Sequence, residues 1–171
     1  MFDIHATEDI LGTNLIENPL TFKAFKDNAE SYLNDSNNDL DVDIAEHVKL
    51  LNKLPDTATR WCCSGHIYNV GTENEYSDCL SIIMVVHNQT ALDRLFEIVM
   101  DYNRRLMTTD GSDSAWQEQM KITCCCTLTH IYDGVGTQYP IVCLESLNER
   151  PLVVESLDLF LQVLKDTLET I

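Results

Sequence analysis

Apolar residues recur every three or four positions in four segments of the chain, and this spacing predicts amphipathic helices. The first segment, Phe22–Leu33, ends at the turn-prone run Asn34–Asp39, and the second, Ile44–Leu54, stops before a proline. Two longer apolar stripes follow at Leu92–Leu106 and Val153–Leu168. These four segments are the predicted helices.

Four other segments have the continuous or alternating apolar runs that are typical of strands. They are residues 57–63, Leu80–Val86, residues 120–131 and Tyr139–Glu145. Leu80–Val86 is apolar on both faces, so we expect it in the centre of a sheet. Because Pro140 lacks a backbone N–H, we expect the strand that carries it at an edge.

The connections between these elements carry signals of their own. The run Asn69–Asp78 predicts a polar loop, and Asp133–Gly136 predicts a hairpin turn between the last two strands. Asn88 or Thr90 is the predicted cap of the third helix. Pro151 opens the last helix, since proline is favoured in a first helical turn.

Beyond residue 40 the predicted order is helix, strand, strand, helix, strand, strand, helix. This order favours an α+β fold, a two-layer sandwich in which a four-stranded antiparallel sheet has helices on one face. A circularly permuted ferredoxin-like arrangement has the same order of elements. We therefore predict an irregular or helical N-terminal extension, residues 1–40, and a single α+β domain, residues 41–171.

The net charge limits the partners that this chain can have. Its 171 residues include 28 acidic and 11 basic side chains, a formal net charge of −17 at pH 7. Such a charge repels phosphate backbones and anionic membranes, so we expect no direct nucleic-acid binding and no membrane binding. The acidity favours a host protein with a basic surface as partner, although solubility alone also explains an acidic surface. The acidic start Met1–Asp9 lacks a signal-peptide pattern, so we expect a cytoplasmic protein.

Seven cysteines occur, as Cys62–Cys63, Cys124–Cys126 and the isolated Cys79 and Cys143. An odd number in adjacent positions does not indicate a disulfide framework, because neighbours on a strand point to opposite faces. We expect reduced thiols that pack as small apolar residues, above all at Cys124–Cys126.

Reactive groups are concentrated in the corner Cys62–His66, at the end of the first predicted strand. Cys63, Ser64 and His66 are candidate catalytic residues, because an imidazole can activate a neighbouring thiol. The spacing of Cys63 and His66 also suits two zinc ligands. The alternative is that the thiols are core residues and His66 is a polar turn residue.

A metal at this corner needs further ligands from elsewhere in the chain. His87 closes the second predicted strand and His130 lies in the third, so both are candidates. A small anionic ligand is another hypothesis, with Gly65, His66 and Arg60 as its contacts, because backbone amides at a glycine and a guanidinium both bind anions. No motif indicates a cofactor.

The segment Ile44–His66 resembles a pattern in small uncharacterised phage and bacterial proteins. In these proteins a Leu-Asn-x-Leu-Pro helix end leads through a short strand to a Ser/Cys-Cys-x-Gly-His corner, which here reads Leu51–Pro55 and then Trp61–His66. The usual glycine after the proline is Asp56 here. The corner is also similar to the Ser-Cys-Ser-Gly-Arg segment of the wybutosine-synthesis methyltransferase family. His66 replaces that arginine, and the acidity argues against a tRNA substrate, so we do not carry over the activity.

The first resemblance implies a phage-type origin, and small acidic viral proteins often inhibit a host factor or sequester a nucleotide signal. We therefore expect an acidic, non-enzymatic binding protein, encoded by a phage, that inhibits or sequesters a host or defence component in the host cytoplasm. The alternative is an enzyme, or a metal- or small-anion-binding protein, that uses the Cys62–His66 corner. The sequence does not indicate whether the protein is a monomer or an oligomer.

Overall fold

The computed structural model describes residues 21–73, 75–109, 114–132, 138–147 and 151–171. The predictions for residues 1–20 and for the Asp133–Gly136 turn lie outside the described residues. In chain order the elements are α1 Phe22–Asn34, α2 Ala45–Lys53, β1 Thr57–Cys63, β2 Ile67–Tyr68, β3 Tyr76–Ser77, β4 Ser81–Val86, α3 Gln89–Met107, α4 Ser114–Gln119, β5 Ile122–Tyr132, β6 Gln138–Ser146 and α5 Val154–Glu169.

The helices and strands predicted from periodicity are all present, with small shifts at their ends. Asn88 caps α3, since its side chain accepts a hydrogen bond from Ala91 N at 2.9 Å. α5 begins three residues beyond Pro151, at Val154. The predicted loop Asn69–Asp78 contains the end of a small hairpin, because Ile67 and Tyr68 of β2 pair with β3.

The main sheet has the strand order β1-β4-β6-β5, and every neighbouring pair is antiparallel. β4 and β5 both run opposite to β6, so they are parallel to each other, and α3 connects them across the sheet. This split β-α-β unit is the arrangement expected for a circularly permuted ferredoxin-like fold. The predicted α+β class, with a four-stranded antiparallel sheet, is confirmed.

The prediction that Pro140 marks an edge strand is wrong. β6, which carries Pro140, lies between β4 and β5. The ladder between β4 and β6 reaches only as far as the pair Val85 and Ile141, whereas Pro140 is paired with Leu128 of β5. Because the ladder to β4 ends before Pro140, its missing N–H costs no hydrogen bond to β4, and a central strand tolerates the proline at this end.

Three helices, α2, α3 and α5, cover one face of the sheet and enclose the main core. β4 contributes Ile82, Met84 and Val86 to this core. Tyr102 of α3 packs edge-on against Phe160 of α5 at 5.5 Å, and both side chains are fully buried. These three helices lie together on one face, as predicted, but a fourth helix packs on the other face, so the helices are not confined to one side of the sheet. No described helix combines the length and apolar character that a membrane span requires.

The opposite face of the sheet is covered by α1. Ile83 and Val85 alternate with the β4 residues of the main core, so they point the other way. They pack with Ala58 around Phe25 of α1, which is fully buried. Because this second face is also apolar it needs a cover, and α1 supplies it from within the predicted N-terminal extension.

His47 links α2 to α5 inside the main core. Its Nε2 lies 2.7 Å from the carbonyl oxygen of Leu157, and its ring stacks on Phe160 at 5.6 Å. Burial lowers the pKa of His47, and the hydrogen bond to Leu157 opposes this effect only in part. At neutral pH the folded protein therefore favours the neutral form of this imidazole.

We expect the contribution of His47 to the free energy of unfolding to fall as the pH is lowered below 6.5. The pKa of His47 lies below its ordinary value of 6.5 in the folded state, so the unfolded chain binds the proton first. Its contribution is therefore complete above pH 6.5 and is lost as the pH falls through the folded pKa.

Urea unfolding of the wild type and of His47→Gln at several pH values measures this contribution. All other ionisable groups are common to the two proteins, so their contributions cancel in the comparison. Parallel pH profiles for the two proteins would contradict the assignment.

Candidate metal centre

The corner that follows β1 is fixed by Gly65. Its φ is +88°, a conformation that side chains with a Cβ rarely adopt. A Cβ on Gly65 would lie 2.6 Å from the carbonyl oxygen of Asp78 and 3.1 Å from Cα of Pro151. The carbonyl oxygen of His66 also accepts a hydrogen bond from Asp78 N at 2.8 Å. The corner is therefore packed tightly against the segment that leads into β4.

Asp41 reaches this corner from the turn that precedes α2. Its Oδ2 accepts hydrogen bonds from the backbone N–H of Ser64, at 3.1 Å, and from the Ser64 hydroxyl. Its Oδ1 accepts a hydrogen bond from Asp43 N at 3.3 Å. These bonds hold the carboxylate in one orientation at the end of β1.

Three groups that can bind a metal ion come together at this point. A carboxylate oxygen of Asp41, the sulfur of Cys63 and a ring nitrogen of His66 all lie within 4.8 Å of one another. Asp41 Oδ2 and His66 Nε2 are 3.5 Å apart. Within the described residues no other three histidine, cysteine or acidic side chains meet in this way.

One side of the cluster is buried and the other faces solvent. The side chain of Asp41 is 15% exposed, whereas that of His66 is 50% exposed. Burial by itself would raise the pKa of Asp41, but the hydrogen bonds from Ser64 and Asp43 and the nearby His66 outweigh it, so the pKa is lowered. The carboxylate is thus held in its charged form, which is the form that binds a cation.

The two neighbouring thiols differ in their surroundings. Cys62 packs against the main core, and burial, followed by the negative charge of Asp41, raises its pKa to about 12. Cys62 therefore fits the prediction of a thiol that packs as an apolar residue. Cys63 faces Asp41 and His66 instead, and Gly65 N donates a weak hydrogen bond to its sulfur at 3.4 Å.

Ser64 positions another group rather than acting as a nucleophile. Its side chain is buried, and its hydroxyl proton is donated to Asp41. A residue that hydrogen-bonds a ligand carboxylate fixes the orientation of that ligand. Of the three candidate catalytic residues, Cys63 and His66 are brought together, while Ser64 supports Asp41.

The structure does not bring the other predicted histidines to this corner. His87 follows Val86, which pairs with the first residue of β1, whereas Cys63 is the last. The two therefore lie at opposite ends of the ladder, and His87 contacts Asp56, with 3.2 Å between Nδ1 and Oδ1. His130 belongs to β5, at the far edge of the sheet, and its side chain lies outside the described residues.

Arg60 does not join the corner either, because it lines a cleft between α1, α2 and β1. Gly65 shapes the corner through its backbone, as described above. The predicted anion contacts at Gly65, His66 and Arg60 are thus divided between two places.

All seven cysteines are free thiols. Cys143 is buried and Cys124 packs against the main core, and burial raises the pKa of Cys124 to about 12. Cys126 is exposed, contrary to the expected packing, since β5 is an edge strand.

Asp41 is the residue of the candidate site that the sequence did not reveal. It lies in an acidic run, Asp39–Asp43, where an aspartate is most simply a turn residue ahead of a helix. Asp41 and Ser64 are separated by 23 positions, and no motif spacing relates them. Only the packing of α2 beside β1 connects the two.

No family model, no curated protein and no solved structure matches this chain. The resemblances to the phage-type pattern and to the wybutosine-synthesis segment therefore stay predictions, which rest on the residues quoted for them.

We expect Gly65→Ala to destabilise the protein more than Gly71→Ala. Both glycines have positive φ, +88° and +77°, which costs an alanine about 1–2 kcal/mol. A Cβ at Gly71 meets nothing within 4 Å, whereas one at Gly65 collides with backbone, which adds about 1–3 kcal/mol. Urea unfolding of the two variants measures the difference, and equal losses would show that the corner relaxes freely.

Proposed function

We propose that the protein binds a divalent transition metal, with Zn²⁺ as the best-matched ion, through Asp41, Cys63 and His66. The observation that carries this proposal is the approach of their three ligand atoms to within 4.8 Å of one another. A thiolate, an imidazole and a carboxylate are the donors that zinc takes in proteins. A hard cation such as Mg²⁺ prefers oxygen ligands and is therefore a poor match for the cysteine sulfur.

The number of ligands supports a reactive site more than a structural one. Structural zinc is enclosed by four protein ligands, whereas catalytic zinc has three and keeps its fourth position for water or substrate. Because His66 is half exposed, the fourth position would lie on the solvent side. This proposal develops the predicted alternative, a metal-binding protein that uses the Cys62–His66 corner.

The metal proposal predicts that Co²⁺ bound to the protein gives a thiolate-to-metal charge-transfer band, because cobalt substitutes for zinc and reports sulfur ligation. Zn²⁺ should displace the cobalt and stabilise the fold, by about 2.7 kcal/mol at a free concentration about 100 times Kd. Cys63→Ser should abolish the band, and His66→Ala and Asp41→Asn should weaken zinc binding by about 100-fold or more.

Two matched controls separate this site from adventitious binding. His87→Ala removes the histidine of the exposed pair His87 and Asp56, which has no cysteine beside it, and should leave the affinity unchanged. Cys126→Ser removes an exposed thiol elsewhere and should also have no effect. A charge-transfer band that survives Cys63→Ser, or is lost equally in Cys126→Ser, would overturn the metal proposal.

A second function is favoured by the charge of the chain. We propose, as the alternative, an acidic binding protein of the host cytoplasm that docks on a basic host or defence protein and inhibits or sequesters it. The formal charge is −17, and several of the few cations are already paired with carboxylates of the same chain, namely Lys23, Arg104, Arg105 and Lys121. The surface that remains is strongly anionic, which accelerates encounters with basic partners.

Docking of this kind should weaken steeply with salt. Between about 0.1 M and about 1 M salt the Debye length falls from about 10 Å to about 3 Å, so exposed charges no longer attract each other over a distance. Binding to a fractionated set of basic host proteins, measured by surface plasmon resonance at both salt concentrations, tests this. Binding that is insensitive to salt, or equally strong to acidic proteins, would contradict it.

A further inference from the structure

A cleft of about 380 Å³ lies where α1 and α2 meet β1. Its lining includes the apolar side chains of Ala29, Leu33 and Val48. It also includes two aromatic residues, Tyr32 and Trp61, which are 44% and 42% exposed. A volume of this size with apolar and aromatic walls is typical of small-molecule sites.

A β-bulge places Arg60 in this cleft. Thr59 is paired with Met84 and Trp61 with the next residue, Ile83, so Arg60 is the extra residue of β1. A bulge turns the side chains of its strand away from the regular alternation, and bulges are frequent next to binding sites. The guanidinium carbon of Arg60 lies 5.2 Å from the centre of the Phe25 ring, which holds it between α1 and the sheet.

Arg60 has no anionic partner among the described residues. None of the ion pairs there includes it, and its Nε is buried without a hydrogen-bond partner. Burial also lowers the pKa of Arg60, which reflects the cost of removing its charge from water. In a chain with 28 acidic side chains, an unpaired and partly buried guanidinium is an unusual arrangement.

Among the described residues that line the cleft, Asp39 is the one carboxylate, and another lining residue already occupies it. Asp39 lines the cleft and accepts a hydrogen bond from the Tyr32 hydroxyl. Its negative charge opposes a ligand with several anionic groups, while the single guanidinium suits one carboxylate or phosphate group. The aromatic rings of Tyr32 and Trp61 provide flat surfaces for an apolar body.

We propose that this cleft binds a small planar organic anion, whose carboxylate or phosphate group is received by Arg60. None of the three metal-cluster residues lines the cleft, although Leu40 and Cys62, which do, are the chain neighbours of Asp41 and Cys63. The anion would supply the partner that the guanidinium lacks, and the aromatic walls would cover the flat part of the ligand.

Calorimetric titration with two matched pairs of probes tests the proposal, with EDTA present so that bound metal plays no part. The first pair is 2-naphthoate and the neutral 2-naphthalenemethanol, and the second is AMP and adenosine. For the wild type we expect one of the anions to bind at least about tenfold more tightly than its neutral analogue. The pair that shows this preference distinguishes a carboxylate ligand from a phosphate ligand.

Arg60→Met should remove the preference for the anion over its neutral analogue. Arg94→Met removes the same charge from a position outside the cleft and should keep the preference. Because Arg60→Met removes an unpaired buried charge, it should unfold at the same or a higher urea concentration than the wild type. If Arg60→Met does not fold, Arg60→Lys is the second variant. It keeps the positive charge but lacks the planar guanidinium, so it should reduce the affinity for the anion only in part. The proposal is overturned if neither anion binds the wild type, or if the preference survives in Arg60→Met.

Discussion

The hydrogen bonds from Ser64 to Asp41 tie the turn before α2 to the end of β1. Through them Asp41, which precedes α2, is held at the corner, where its carboxylate meets the side chains of Cys63 and His66. The bonds also keep the carboxylate charged although it is largely buried. Structure and electrostatics at the site therefore depend on one buried serine and the glycine beside it.

Most of the fold was predictable from the sequence because the apolar spacing is regular. Leu80–Val86 is apolar on both faces, and the corresponding strand is indeed central. The position of Pro140 was misjudged because the sequence does not show where the ladder between β4 and β6 ends. The cover that α1 provides for the second face depends on tertiary packing, which periodicity within one helix cannot reveal.

Only those residues of the candidate site that are close together in the sequence were predictable. Cys63 and His66 are close in sequence, so their chemistry could be recognised from spacing alone. Asp41 comes from another element, and His87 was a candidate only because the direction and length of the ladder were unknown. Likewise, Arg60 was recognised as a cation, but its bulge and its missing partner are visible only in the folded chain.

The position of α1 has a practical consequence for anyone who shortens this protein. A chain that begins at residue 41, the predicted domain boundary, would lose Phe25 and leave Ala58, Ile83 and Val85 bare to water. Its sheet would then present an uncovered apolar surface next to the edge strand β1, a combination that promotes aggregation. A shorter version intended for solution work therefore has to keep the helix that begins at Phe22.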